Sequence, residues 1–488
     1  MILRTSRPPL RRNALPTPSP ACPRRPRLRA AAALVATALL AGACTVGPDY
    51  VRPQTPVPAA WKEARYKPAE PADTAPRGAW WEVFGDPVLD RLETDLAAAN
   101  PTLQAAEANY RQAQAALRAA NAGLYPAVTA GVSAARSEVA RGSSGLPSRG
   151  VSDSVSLIAQ ASWEIDLWGR LRRTVEAGEA SAQASAADAE SVRLSLAAQL
   201  AQSYLALRVA DVQRRLLDET VVAYERSLSL TQNRYGAGVV ARSDVVQAQT
   251  QLLNARAQRV DVGAARAQLE HAIAVLTGKP PADLSIAADD ALPRLPEIPV
   301  ELPSSLLERR PDVAAAERRV AAANAEVGVA TAAIYPSLTL SAGGGFTGST
   351  LANWLTLPNR FWSLGPALAA TVFDAGLRRA QRDQQIAAYD ASVASYRQTV
   401  LSAFQDVEDS LSTLRILADE AGVRQDALAA ARELVALTTN QYKAGTTGFL
   451  NVVVAQAVAL GSEQASVDVA GRRLAATVAL VKALGGAP

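Results

Sequence analysis

The chain has one histidine, one methionine and two cysteines in 488 residues, and aromatic residues make up only 5% of it. Each shortage excludes something. A lone His271, beside Glu270, cannot assemble a metal cluster and reads as a surface or interhelical residue. Cys22 and Cys44 are too few for a disulfide scaffold. No nucleophile stands with a base and an orienting acid: Ser152, in "SDSVS", has no histidine near it in sequence and is expected in a loop. The sequence therefore predicts no enzyme, no cofactor and no metal. Acidic residues are missing from the first 43 positions, which carry Arg4, Arg7, Arg11, Arg12, Arg24, Arg25, Arg27 and Arg29. Without those eight arginines the formal charge of +4 becomes 42 basic groups (50 − 8) against 46 acidic ones, or −4, and nothing suggests nucleic acid.

The arginines give way to the apolar run "AAAALVATALLAGA" over 30–43, ending at Cys44. It is of export-signal length and too short for a permanent membrane span. Small residues leading to a cysteine predict a lipoprotein signal, with the mature chain beginning at an acylated Cys44.

The rest is written twice. "NPTLQAAEANYRQAQAALRAANAGLYPAVTAGVSA" from Asn100 is answered by "RPDVAAAERRVAAANAEVGVATAAIYPSLTLSAGG" from Arg310, and "IDLWGRLRR" from Ile165 by "FDAGLRR" from Phe373. "NRYGAGVVARSDVVQAQ" from Asn233 is answered by "NQYKAGTTGFLNVVVAQ" from Asn440. This is one unit of roughly 180 residues duplicated, the copies joined by a Pro-rich stretch. In each unit a helix gives way after Tyr-Pro (Tyr125-Pro126, Tyr335-Pro336) to period-two alternation. Val128, Ala130, Val132 and Ala134 form the first run, and Val155, Leu157, Ala159, Ala161, Trp163, Ile165 and Leu167 the second. Leu338, Leu340, Ala342, Gly344 and Phe346 form the third, and Trp362, Leu364, Leu368, Ala370 and Val372 the fourth. Four strands in two hairpins are predicted, each strand with one apolar face.

The remainder of each unit is helical. No proline occurs between Leu171 and Tyr235, so about 65 residues could form a rod of roughly 100 Å. Leu217, Val221, Tyr224, Leu228, Thr231 and Tyr235 step by four and three, and the next segment runs back on the same spacing, broken at Arg259 and Arg266. These are antiparallel coiled-coil hairpins, and "RYGAG" and "QYKAG" are their tips. Charge clusters such as Arg214, Arg215, Asp218 and Glu219 read as solvated or interhelical faces. Four strands cannot close a barrel alone, so other copies must complete the sheet: two would give eight strands, three would give twelve with room for a lumen. Membrane strands carrying long helical rods describe a conduit.

These stretches, together with "ACTVGPDYVRP" from Ala43, "WWEVFGDPVLDRL" from Trp80, "LTGKPPADLS" from Leu276 and "LPSSLLERRPDVAAAE" from Leu302, resemble the TolC superfamily of outer-membrane efflux factors, in its lipoprotein branch typified by OprM and NodT. The resemblance covers nearly the whole mature chain. It implies a mixed α and β membrane protein, internally duplicated: a homotrimer whose twelve-stranded β-barrel in the outer membrane continues into a long periplasmic α-helical barrel. The implied divisions are a signal peptide (1–43), a lipidated arm and equatorial segment (44–99), a first repeat (100–278, β-hairpin 125–168), a Pro-rich equatorial linker (279–309), a second repeat (310–484, β-hairpin 335–374) and a tail (485–488). The implied function is passive export of drugs or other small molecules. The implied partners are a periplasmic adaptor, an inner-membrane pump of the resistance-nodulation-division type and outer-membrane lipid. The exit duct of a type I secretion system is the alternative. A periplasmic adaptor would have one coiled-coil hairpin, and a structural lipoprotein would need no amphipathic strands.

By position in the repeated phrase, the resemblance assigns a gate to the tips. An acid that bonds a tyrosine of the neighbouring hairpin maps to Asp244, and the tyrosine to Tyr442. The arginine of a second family link maps to Thr447, its partner to Ser243, with Arg242 a partial substitute. The carboxylate ring of many family entrances maps to Asn451 and Val454, neither acidic, so this mouth should attract cations less. Asp244 could instead cap its helix. The adaptor is expected to dock at Gly236, Gly238, Val239, Gly445 and Thr446, where glycine leaves the backbone approachable.

Overall fold

The computed structural model describes residues 45–55, 58, 60–62, 78–138, 151–296 and 309–486. The leader, Cys44, the Gly/Ser-rich loop over 139–150 and the linker positions 297–308 lie outside the described residues.

A short 3-10 turn, Trp80–Phe84, leads to α1 (Pro87–Ala99) and α2 (Pro101–Ala122). Pro at the first position of each costs nothing, because that N–H has no helical partner. Asp86 caps α1 by accepting from the Val88 and Leu89 amides (2.9 and 3.4 Å), and Asn100 caps α2 by accepting from the Leu103 amide at 2.9 Å. Then come β1 (Ala127–Glu138), β2 (Val151–Ile165), α3 (Arg170–Gly236) and α4 (Arg242–Leu276). The second unit repeats the order with α5 (Pro311–Ala332), β3 (Ser337–Gly348), β4 (Arg360–Ala369), α6 (Leu377–Lys443) and α7 (Phe449–Ala483). The duplication is close: α2 and α5 have 22 residues each, α3 and α6 67 each, α4 and α7 35 each. A helix of 67 residues is roughly 100 Å long.

The four strands form one antiparallel sheet in the order β1-β2-β3-β4, with β1 and β4 as its edges. The register places Val132 beside Leu157, Leu157 beside Phe346, Trp163 beside Leu340, and Leu340 beside Pro366. Val128, Leu157, Trp163, Leu338, Leu340, Phe346, Trp362 and Leu364 therefore share one face, and Ser133, Ser156, Gln160, Ser162, Glu164, Thr339 and Ser341 share the other. Gly345 on the polar face admits no side chain, since a Cβ there would fall 1.9 Å from the Leu157 carbonyl oxygen. Ser152 is not in a loop: β2 begins at Val151, and the Ser152 hydroxyl meets that of Ser137 at 3.0 Å. The pairing ends sooner than alternation suggests. β2 stops at Ile165 and β4 at Ala369, leaving Leu167, Trp168, Ala370 and Val372 outside the sheet. Asp166 and Asp374 cause this by turning the chain to cap the long helices, accepting from the Leu171 and Arg172 amides (3.1 and 2.9 Å) and from the Gly376 and Arg378 amides (3.0 and 3.3 Å).

The α3–α4 hairpin buries Leu217, Tyr224, Thr231, Ala248, Leu252 and Ala255. Arg259 and Arg266, which interrupt the apolar spacing, cross to α3 as ion pairs with Asp218 and, at 2.6 Å, Asp211. His271 is exposed. The largest core cluster lies at the waist, where Trp80, Phe84, Leu89, Leu92 and Leu96 pack on Leu200, Tyr204 and Leu207 of α3. There Asp86 accepts from the Tyr204 hydroxyl (2.8 Å) and the Arg208 guanidinium (2.9 Å), and Arg208 also donates to the Ala291 carbonyl at 2.7 Å. Burial, then the bond to Asp86, pushes the Tyr204 phenol above its ordinary value.

Candidate functional site

The two hairpin tips are built by the same turn. After α3 the Gly238 amide donates to the Tyr235 carbonyl (2.9 Å) and the Val239 amide to the Arg234 carbonyl (2.9 Å). After α6 the Gly445 amide donates to the Tyr442 carbonyl (3.0 Å) and the Thr446 amide to the Gln441 carbonyl (3.0 Å). Gly238 and Gly445 take φ of 72° and 78°, the left-handed region that terminates a helix at little cost only for glycine. Gly236 is the last residue of α3, so of the two glycines in "RYGAG" the second makes the turn. Gly236, Gly238, Val239, Gly445 and Thr446 are all exposed.

The returning helices start differently from each other. Ala241 and Gly448 hold the cap positions, and neither has a side chain able to cap. Asp244 is therefore not the cap of α4 but its third residue, where its charge lies against the positive end of the helix. In the other copy Asn451 donates to the Thr447 hydroxyl at 2.6 Å, bracing the start of α7 from within. Arg242, Ser243, Asn451 and Val454 are exposed, Asp244 and Thr447 half-buried.

Tyr442 is 3% exposed and packs with Ala248 of α4 and Phe449 and Val452 of α7; its ring centroid lies 5.3 Å from that of Phe449. Its hydroxyl is buried and has no hydrogen-bond partner within the protomer, so one chain by itself does not join Tyr442 to Asp244. The residue that holds Tyr442 is one the sequence reading passed over. Arg234 in the last turn of α3 lays its guanidinium 4.6 Å above the Tyr442 ring and donates from Nη1 to the Tyr442 carbonyl (2.9 Å) and the Lys443 carbonyl (3.3 Å). Those carbonyls belong to the final turn of α6, beyond the reach of the regular helical donors, and that of Tyr442 has otherwise only the Gly445 amide of the turn. An arginine of the first hairpin thus caps the helix of the second and stacks on its tyrosine. The signal was present in the repeat: Arg234 aligns with Gln441, and the cation in the last turn of the second copy is Lys443, two positions further on, where the first copy has Gly236.

At the other end of the helices, the N-terminal arm is anchored near the sheet. The Val46 amide donates to the Trp168 carbonyl (3.0 Å), the Trp168 ring stacks on Tyr335 with centroids 5.0 Å apart, and its indole donates to the Pro336 carbonyl (2.7 Å). From there the arm follows α5: Asn324 donates to the Pro48 carbonyl (3.0 Å), Arg173 pairs with Asp49 (2.8 Å), and the Tyr50 hydroxyl donates to Glu317.

Among the described residues no three His, Cys, Asp or Glu side chains gather where a metal could bind, and no helix is long and apolar enough to cross a membrane. What the architecture presents is a sheet with one wet and one greasy face, continuous with rods that end in paired tips. That combination is the fold of a channel protein of the outer membrane. A family model for outer membrane efflux proteins matches residues 93–279 and 302–486, one match per repeat, and the chain belongs to that family. The chain is 34% identical over 460 residues to a pyoverdine export outer membrane protein of Pseudomonas aeruginosa, covering 93% of this chain and 96% of that one. It is 31% identical over 457 residues to a probable efflux pump outer membrane protein of Pseudomonas putida, covering 93% and 94%. Among solved structures, the outer-membrane channel OprN superposes with a TM-score of 0.86 at 32% identity, over 91% of this chain and 99% of that one. In this fold three chains share one β-barrel, the sheet edges β1 and β4 being closed by neighbouring copies, and the helices form the tunnel below it.

Proposed function

We propose that this trimer is the exit duct of a tripartite efflux system, passing drugs or other small molecules handed to it by a periplasmic adaptor and an inner-membrane pump of the resistance-nodulation-division type. The observation that carries this reading is the apolar face shared by all four strands, two of which lead through short capped turns into helices of 67 residues. Such a sheet needs lipid on one side and water on the other, and such helices reach far from the bilayer. The chain supplies a conduit and no energy. Acylation at Cys44 is part of this reading, and the arm that follows it in sequence is anchored where the Val46 amide donates to the Trp168 carbonyl beside the end of β2. The tips are the gate and the docking point, the gate being held by Asp244, Tyr442 and Arg234. The exposed turns at Gly238-Val239 and Gly445-Thr446 meet the adaptor.

Deletion of the gene followed by accumulation measurements with a panel of drugs, dyes and aromatic acids tests the transport reading. Cargo should accumulate, and re-expression should reverse it. A photocrosslinker at Val239 or Thr446 should capture a periplasmic adaptor, and crosslinks confined to other copies of this chain would refute docking at the tips.

A further inference from the structure

The apolar stripe of α1 contains a carboxyl. Leu89, Leu92 and Leu96, spaced by three and four, face the waist core at 1% exposure or less, and Glu93 shares their burial at 1%. Its Oε1 is enclosed with no hydrogen-bond partner among the described residues, and burial alone pushes the carboxyl up to about 9. The cations around it are engaged elsewhere or point to water. Arg193 of α3 lies 3.6 Å from Glu107 and 3.8 Å from Glu190, Lys279 pairs with Asp95 at 2.6 Å, Arg310 is held by Asp312 and Asp406 at 2.6 and 2.9 Å, and Lys482 of α7 is exposed. Asp90, on the same helix, adds a second acid. Beside Glu93 lies a cavity of about 190 Å³, between α1, α3, Pro311 at the start of α5 and Gly486 in the turn after α7. Trp80, Trp81, Leu96 and Leu194 line it, with Glu190 and Arg193. The two indoles stand nearly at right angles, their planes inclined by 76° and their centroids 5.8 Å apart.

We propose that this cavity is a binding site for small aryl-alkylammonium ions, the ammonium pairing with Glu93 and the ring lying among Trp80, Trp81, Leu96 and Leu194. The site is at the waist, on residues that neither the gate nor the docking tips use, and it stands independently of the duct reading. An apolar cavity of about 150 Å³ holds benzene, so this one has room for a benzene-sized ring and a short arm. A neutral acceptor could take a hydrogen bond from the protonated carboxyl. Only a cation gains from the carboxylate and from the indole rings together. On binding, Glu93 gives its proton to solvent and the ammonium becomes the partner that the carboxylate lacks. An occupied site would join α1, α3, the start of α5 and the C-terminal turn, four segments far apart in the chain.

The test is calorimetric titration of phenethylammonium chloride into the full-length trimer. At about pH 7.5 binding should release about one proton per chain, read from the heats in two buffers of different ionisation enthalpy, and affinity should rise about tenfold per pH unit between about pH 6 and 8. 2-Phenylethanol, which has the same shape and no charge, should bind at least about tenfold more weakly. Glu93→Gln keeps the side-chain shape and removes the charge; it should lose at least about tenfold in affinity for phenethylammonium and release no proton. Trp81→Leu should weaken binding several-fold. No saturable binding to the wild type, equal affinity in Glu93→Gln, or equal affinity for the alcohol would each overturn the site. Were Glu93→Gln not to assemble, proton release and the comparison of amine with alcohol, both measured on the wild type, still decide.

Discussion

Arg234→Gln gives the first hairpin the residue that the second copy has at the equivalent position, Gln441, and removes the clamp between the two tips. The wild-type guanidinium makes a charge-assisted bond to the Tyr442 carbonyl at 2.9 Å, shares a longer one with Lys443, and stacks 4.6 Å above the Tyr442 ring. Both carbonyl contacts come from one nitrogen and count once, at about 1.5–3 kcal/mol. The stacking adds about 0.5–1 kcal/mol at this half-buried site. The total is about 2–4 kcal/mol. If the first hairpin swings away from the second when the channel opens, all of it is lost on opening in the wild type and none in the mutant. At about 1.4 kcal/mol per tenfold, the closed-to-open ratio should fall by roughly 30-fold or more. Arg234→Lys should be intermediate, because an ammonium keeps the charge but not the planar face that stacks. Single-channel recordings read the open probability directly, vancomycin susceptibility of cells reads the leak, and trimer yield on gels controls for folding. An Arg234→Gln channel that assembles normally and stays as closed as the wild type would refute the clamp.

Leu340→Arg on the apolar face should cost roughly 2–4 kcal/mol near the midplane and reduce barrel assembly, while Ser341→Arg, facing the lumen, should assemble; equal yields would reject the face assignment. The Tyr442 hydroxyl is buried without a partner in the protomer, so Tyr442→Phe is neutral or stabilising unless Asp244 of another copy reaches it. If it does, the bond is worth roughly 1–3 kcal/mol. Bilayer leak in Asp244→Ala, Tyr442→Phe and the double mutant should then be non-additive, and simple addition would show that the two are not a pair. Glu93, 1% exposed at the waist, has its pKa pushed by burial from an ordinary 4.5 up to about 9. Unfolded, it ionises near 4.5; folded, it keeps its proton to about 9. Its contribution is therefore full below pH 4.5 and falls as pH rises toward 9. At pH 7.5 the deficit is at most about 4 kcal/mol, so Glu93→Gln should raise the melting temperature at pH 8 and leave it unchanged at pH 4. Mass spectrometry of the mature N-terminus should find acylated Cys44, and an unmodified N-terminus elsewhere would reject lipidation.

How much of this was legible depends on how local the physics is. Period-two alternation carried the strands because burial in a two-faced sheet is decided residue by residue, and the register confirmed the shared face from Val128 to Leu364. The same alternation overran the ends at Leu167 and Val372, because it cannot see a carboxylate such as Asp166 or Asp374 drawing the backbone amides of the next helix onto itself. The long helices were plain from missing prolines. Their ion pairs were not, since Arg259 and Arg266 look like faults in an apolar grid until α3 brings Asp218 and Asp211 opposite them. The tips were the hardest, for a reason that lies in the duplication itself. Aligning two copies draws the eye to what they share, yet at the tips the copies interlock by what they do not share. Tyr235 is 47% exposed where its counterpart Tyr442 is 3% exposed; Arg234 reaches out where Gln441 does not; Phe449 packs on Tyr442 where Arg242 stands free of the core. An inserted cation needs a receptor, and a second arginine at position 441 would put two guanidinium groups in one small cluster, whereas the charge this receptor does carry, on Lys443, is exposed. Two identical tips could not make this contact, so the divergence between "NRYGAG" and "NQYKAG" is what lets two descendants of one unit fit each other.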